Sequence, residues 1–211
     1  TLLARALADV GECELALPIL SGVHATQDDY RDAWIVQGYC QLTTERLDEA
    51  KTSFERAYQI DPQKPEIQFF LARTFSKLGD HQAATTYAQY ALENGFSPHA
   101  EALRLLAAEA LAIGDGELAL QQLEKLTQLE NAPVDAYSDF IAAALSMKKN
   151  EEAYAKAQAA VAAHPKSAIA HDLLGWTAAV TGRNDEARNE LTKALELDPG
   201  LESAQKRLKS L

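Results

Sequence analysis

Residues 168–200 read AIAHDLLGWTAAVTGRNDEARNELTKALELDPG. Two runs with helical apolar spacing, Leu173, Leu174 and Thr177, then Leu191, Ala194, Leu195 and Leu197, flank Gly182-Arg183-Asn184. Residues three and four apart share one face of a helix, and Gly and Asn tolerate the backbone of a tight turn. Asp198-Pro199 then ends the second run, since proline has no amide hydrogen with which to continue a helix. The stretch predicts a helix over 168–181, a turn, and a second helix over 184–197.

The same arrangement recurs upstream. Ala16, Ala50, Ala84, Ala119, Ala153 and Ala187 are separated by 34, 34, 35, 34 and 34 residues. Twelve residues before each of the last five stand Gly38, Ala72, Ala107, Ile141 and Gly175, mostly small, and seven after stand Ala57, Ala91, Leu126, Ala160 and Ala194. Small residues let two helices approach closely. A near-constant period of this length marks stacked helical hairpins. First helices are expected over 31–44, 65–78, 99–113, 134–147 and 168–181, with partners over 48–60, 81–94, 116–129, 150–163 and 184–197. Ahead of them, residues 2–8 and 12–23 read as a first, irregular hairpin joined at Gly11, with Pro18 inside its second helix.

The motif Leu174-Gly175, Gly182, Ala187, Leu191, Ala194 and Asp198-Pro199, with Trp34, Gly38, Leu47, Ala50, Phe54, Ala57 and Asp61-Pro62 as a second copy, resembles the tetratricopeptide repeat family. The resemblance covers nearly all of the chain. It implies an all-α, right-handed α-solenoid of stacked antiparallel helix hairpins, a superhelix in which each repeat touches only its neighbours. The expected organisation is one domain over 1–211: a truncated first repeat and linker at 1–30, full repeats at 31–64, 65–99, 100–133, 134–167 and 168–200, and a C-terminal capping helix at 201–211. Gln37, Gln41 and Ile141 depart from the family's residue preferences, which bears on local packing. The chain opens Thr1-Leu2-Leu3 without methionine, inside a predicted helix, and is read as a fragment.

Composition narrows the function. The formal charge is -11 and the pI about 4.9, which argues against nucleic acid, whose affinity comes from clustered Lys and Arg, and against anionic membrane surfaces. No stretch approaches the roughly 18 apolar residues of a membrane span, so no direct membrane insertion is expected. Two cysteines, Cys13 and Cys40, are too few for a disulfide scaffold; buried free thiols are expected, with a bridge as the alternative. The histidines, His24, His81, His99, His164 and His171, are scattered over different repeats. With no metal-ligand spacing, phosphate loop or Gly-x-Ser-x-Gly elbow, no enzyme activity, metal or cofactor is expected.

Function is then expected on a surface, and the family's concave groove, lined by first helices, binds extended or helical segments of partner proteins. The register places Val36, Tyr39, Phe69 and Phe70 in its N-terminal half as an apolar, aromatic patch, the kind of residue that dominates binding hot spots. Against this stands the reading that some of them fill the seam between repeats. Trp34 occupies an internal packing place. Arg73 and Arg104, on adjacent repeats, suit a partner's carboxylate or else pair with the acidic ladder Asp32, Glu66, Glu101 and Asp135, itself explicable as helix N-terminal acids. Trp176 is expected on the groove side of the last full repeat, as a second contact point or covered by the C-terminal helix or a second copy of the chain. Family members that clamp a chaperone's C-terminal carboxylates use Lys and Asn at places occupied here by Ile35, Val36, Tyr39, Phe69, Phe70 and Arg73, so that clamp is missing.

The resulting expectation is a non-catalytic scaffold that binds a helical or extended peptide segment through apolar anchors. The alternatives are a self-associating or spacer module, including a homodimer, and the accessory domain of a longer enzyme. Resemblance to bacterial members leaves cytoplasmic and periplasmic or envelope-associated locations both open.

Overall fold

The computed structural model describes all residues, 1–211, as thirteen helices with no strand. They run α1 (Leu2–Asp9), α2 (Cys13–His24), α3 (Arg31–Thr43), α4 (Leu47–Ile60), α5 (Pro65–Leu78), α6 (His81–Glu93), α7 (His99–Ala112), α8 (Gly116–Thr127), α9 (Val134–Ser146), α10 (Asn150–Ala163), α11 (Ala168–Val180), α12 (Asn184–Leu197) and α13 (Glu202–Lys209). The periodic alanines all lie at 0 % exposure within second helices. The helices pack as sequential hairpins and form two compact units, Thr1–Asp115 and Gly116–Leu211.

In the first unit α1 to α6 form three hairpins and α7 packs on α6; α1 also touches α3, α3 touches α5, and α5 touches α7. Close approach within a hairpin depends on the small positions. A Cβ added at Gly38 would lie 2.8 Å from the ring of Phe54, which is itself fully buried. Gln41 stands where the family prefers tyrosine and is 6 % exposed. Its Oε1 accepts a 2.6 Å hydrogen bond from Ser53 Oγ, which also accepts from Gln37 Nε2 at 3.2 Å, so the buried amide is satisfied.

The cysteines correct an expectation. Cys13 on α2 and Cys40 on α3 are paired in a disulfide, with Cα atoms 5.0 Å apart, and neither is a free thiol. The reason is the stacking: α2 packs on α3, bringing two buried small side chains face to face within the Cα range a bridge requires.

In the second unit α8 packs on α9, α9 and α10 form a hairpin, α11 and α12 form another, and α13 covers α12. Leu201, Leu208 and Leu211 close over Leu191, Ala194 and Ala204. Gly175 repeats the role of Gly38, since an added Cβ would meet Leu191 Cγ at 2.6 Å.

Hairpin turns share one backbone form. Gly11, Glu45, Gly79, Gly114, Lys148 and Gly182 all have positive φ, between 59° and 85°, and occur at the repeat period. In each the next amide reaches back to a carbonyl five residues earlier, as Gly79-Asp80 does to Phe75 O at 3.0 Å and Lys148-Lys149 to Ala144 O at 2.9 Å. That bond occupies a carbonyl which the helix end leaves free. Neighbouring hairpins are further tied by ion pairs between residues 32 apart: Arg46–Glu14 at 2.6 Å and Lys77–Glu45 at 2.8 Å in the first unit, Lys149–Glu117 at 2.8 Å and Arg183–Glu151 at 2.9 Å in the second.

Candidate protein-binding groove

On the face where α1, α3 and α5 meet, a cavity of about 200 Å³ is lined by Arg5, Ala8, Asp9, Ile35, Val36, Tyr39 and Phe70. Tyr39 and Phe70 are half-buried and meet edge to face, with ring centroids 5.8 Å apart. Phe70 is held from behind, stacked on Phe54 at 5.3 Å. Packing of this kind restricts the rings before any ligand arrives. The side chain of Thr74 donates to Phe70 O at 2.8 Å and adds no polar group to the cavity lining.

The other expected groove residues divide. Val36, 4 % exposed, packs with Ala4, Ala8, Ala33 and Cys40 and reaches the cavity as part of its wall. Phe69, expected in the groove, instead fills the seam: it is 4 % exposed and lies stacked on Phe96 at 4.1 Å, in a cluster with Ala91 and Ala102. Phe96, beyond the end of α6, folds back over it. Arg73 is half-buried, with its guanidinium carbon 5.9 Å from the centre of the Phe69 ring. Neither Arg73 nor Arg104 lines the cavity; Arg104 is exposed on α7 and is already engaged in the structure.

In the second unit Trp176 is half-buried on α11, and Arg207 of α13 lies over its ring at 4.4 Å. Arg207 is fixed there by an ion pair with Asp172, which also accepts from Ser203 Oγ at 2.7 Å. Of the coverings expected for this indole, the C-terminal helix is the one present. His164 contacts Ala132 O at 3.0 Å, while His171 sits between Glu190 Oε2 at 2.6 Å and Pro165 O at 3.1 Å, so each has its own partners.

Trp34, expected inside its repeat, is only partly buried. Its ring stacks on His24 at 3.6 Å and its Nε1 donates to Asp28 O at 2.8 Å. Burial pushes the His24 imidazole below its ordinary value. Arg5, Ala8 and Asp9 of the cavity lie on α1, outside the full repeats from which the groove residues are expected. The signal was present: Arg5, Tyr39 and Arg73 are spaced by 34 residues and occupy one register place on α1, α3 and α5.

Helical hairpins of this period, closely packed where a small residue faces a large one, define an α-helical repeat protein. The chain belongs to the tetratricopeptide repeat family, whose models match residues 42–108 in one case and residues 1–65 and 139–202 in another. Among solved structures it is similar to YrrB, described as a repeat protein with an unusual peptide-binding site, at 18 % identity over 91 % of this chain and 98 % of that one, TM-score 0.71. It is similar also to the C-terminal part of a repeat protein from Cytophaga hutchinsonii, at 15 % identity, 99 % and 83 % coverage and TM-score 0.80. A third is PilF of Pseudomonas aeruginosa, at 15 % identity, 99 % and 95 % coverage and TM-score 0.69. At these identities the likeness is one of fold. No curated protein matches the sequence. No helix is long and apolar enough to cross a membrane.

Proposed function

We propose that this chain is a non-catalytic interaction module that seats an apolar side chain of a helical or extended partner segment in the α1/α3/α5 cavity. The observation that carries the reading is the Tyr39–Phe70 pair, two half-buried rings lining about 200 Å³ of unfilled space. A cavity below the 300–1,000 Å³ of sites for whole small molecules suits one side chain of a longer ligand. The peptide-binding site named for YrrB, a protein of the same fold, supports the class of ligand. Aromatic anchors held in place lose little entropy on binding, which makes them effective contact points.

The Tyr39→Ala variant, purified and used as bait beside the wild type in crosslinking pull-downs from the source cell, should lose the captured partner while its circular dichroism is unchanged. Full retention of that partner would refute the assignment. The buried Cys13–Cys40 pair also favours the periplasmic or envelope location over the cytoplasmic one, because structural disulfides persist in oxidising compartments. Alkylation of the protein as it is isolated from its own cells, followed by mass spectrometry, should find neither thiol modified.

A further inference from the structure

Asp172 of α11 is 4 % exposed, and a carboxylate so far from water needs donors. Its Oδ2 has two, Ser203 Oγ at 2.7 Å and the guanidinium of Arg207, both from α13. Its Oδ1 is buried with no hydrogen-bond partner in the chain. One turn further along α11 stands Trp176, with the guanidinium carbon of Arg207 4.4 Å from the centre of its ring. A buried carboxylate and an indole four residues apart on one helix make a receptor for a guanidinium, which takes hydrogen bonds along its edge and a ring on its flat face. Arg207 fills that receptor from within the chain, and fills it incompletely. It reaches Oδ2 through one nitrogen, where a guanidinium can bind both oxygens of a carboxylate.

The element that carries Arg207 is lightly held. In α13 only Ala204 is buried, and Leu201, Leu208 and Leu211 are partly so. Its last turn brings Lys206, Arg207 and Lys209 together around Leu208, a basic amphipathic helix on a chain of net charge -11. The ground beside the receptor is acidic: α9 packs on α11, Ser138 stands one period before Asp172, and Asp135 and Asp139 lie exposed next to it.

We infer that Asp172 and Trp176 form a binding site for an arginine on a basic amphipathic helix of a partner protein, and that α13 is its stand-in within the chain. The partner helix displaces α13, sets its arginine against the indole and supplies Oδ1 with the donor that the closed chain lacks. Asp135 and Asp139 attract its remaining positive charge. The site is open only in the fraction of molecules with α13 lifted, so the apparent affinity is the intrinsic one reduced by that fraction. It lies in the second unit and is independent of the α1/α3/α5 cavity.

The test is fluorescence anisotropy of a labelled, end-blocked peptide of residues 202–211 with the full chain, its Arg207→Ala variant and the Asp172→Asn/Arg207→Ala pair. Arg207→Ala, which vacates the site, should bind the peptide about tenfold more tightly than the wild type, or better. The Asp172→Asn/Arg207→Ala pair should lose that gain, as should a peptide with glutamine in place of its arginine. Hydrogen exchange of α13 in the wild type should quicken when the peptide is added, since seated α13 and bound peptide exclude each other. Thermal melting verifies that each variant is folded. No binding to Arg207→Ala, no gain over the wild type, or the same gain without Asp172 overturns the inference. Equal binding of the glutamine peptide also overturns it, as the mark of attraction to net charge alone. If a variant does not fold, unchanged α13 exchange in the wild type decides against it. A wild type that is dimeric in light scattering, and monomeric as Arg207→Ala, has the site filled by a second copy and overturns the assignment to a partner.

Discussion

His24 shows how a single residue can make the fold sensitive to acid. Its ring lies flat on Trp34, and burial lowers its affinity for a proton in the folded chain. The unfolded chain therefore binds more protons than the folded one once the pH falls below the ordinary value of 6.5. Stability rises with pH wherever that holds, so the contribution is intact above 6.5 and lost as the pH falls through and below it. Urea unfolding at pH 7.5 and 5.5 is expected to show a larger loss for the wild type than for His24→Gln. Equal losses would mean that the imidazole protonates as freely in the folded chain as in the unfolded one. Gln41 and Ser53 are a second lesson at this scale: a polar residue in an apolar place is tolerated where a partner hydroxyl on the facing helix satisfies it.

Within a hairpin, volume is shared between facing places. Gly38 lies against Phe54 and Gly175 against Leu191, each pair sixteen residues apart, and in the α9/α10 hairpin the corresponding pair is Ile141 and Ala157. All four of Phe54, Leu191, Ile141 and Ala157 are fully buried. The large residue has changed sides, which explains how Ile141 departs from the family pattern without disturbing the architecture. Gly175→Ala should therefore be destabilising, by about 1–3 kcal/mol through overpacking against Leu191, read as a fall in the denaturation midpoint with the slope unchanged. The turns are less demanding, and Glu45 and Lys148 adopt the left-handed backbone that glycine supplies at the equivalent places.

Within each of the two units, cohesion comes from neighbour-to-neighbour contact, as expected of stacked repeats. Exposed ion pairs such as Arg183–Glu151 recur from hairpin to hairpin, yet each contributes about 0–1 kcal/mol; apolar burial supplies the greater part. The disulfide is different, because it ties two hairpins covalently across a separation of 27 residues. Restriction of the unfolded chain by a loop of that length is worth about 3–4 kcal/mol. Cys40→Ala, or reduction of the wild type, should lower the unfolding free energy of the first unit by that order. Hydrogen exchange should quicken first in α2 and α3, the two helices that the bridge joins.

The amino-acid order alone determined the helices and their pairing. Alternating small and large residues, turn residues and prolines at a fixed period act over a few residues or one hairpin, so their consequences are local and readable; twelve helices were placed to within three residues, and the last was expected as a cap. Tertiary structure decided which side chains stay uncovered. Phe69 and Phe70 are adjacent and chemically identical, yet Phe96 folds over the first while the second borders a cavity. Trp176 was half-covered by Arg207 and Cys13 met Cys40 for the same reason. Covering is done by the segment that follows, whose side chains reach back across about thirty residues, a separation longer than the local pattern that sets one helix or one turn.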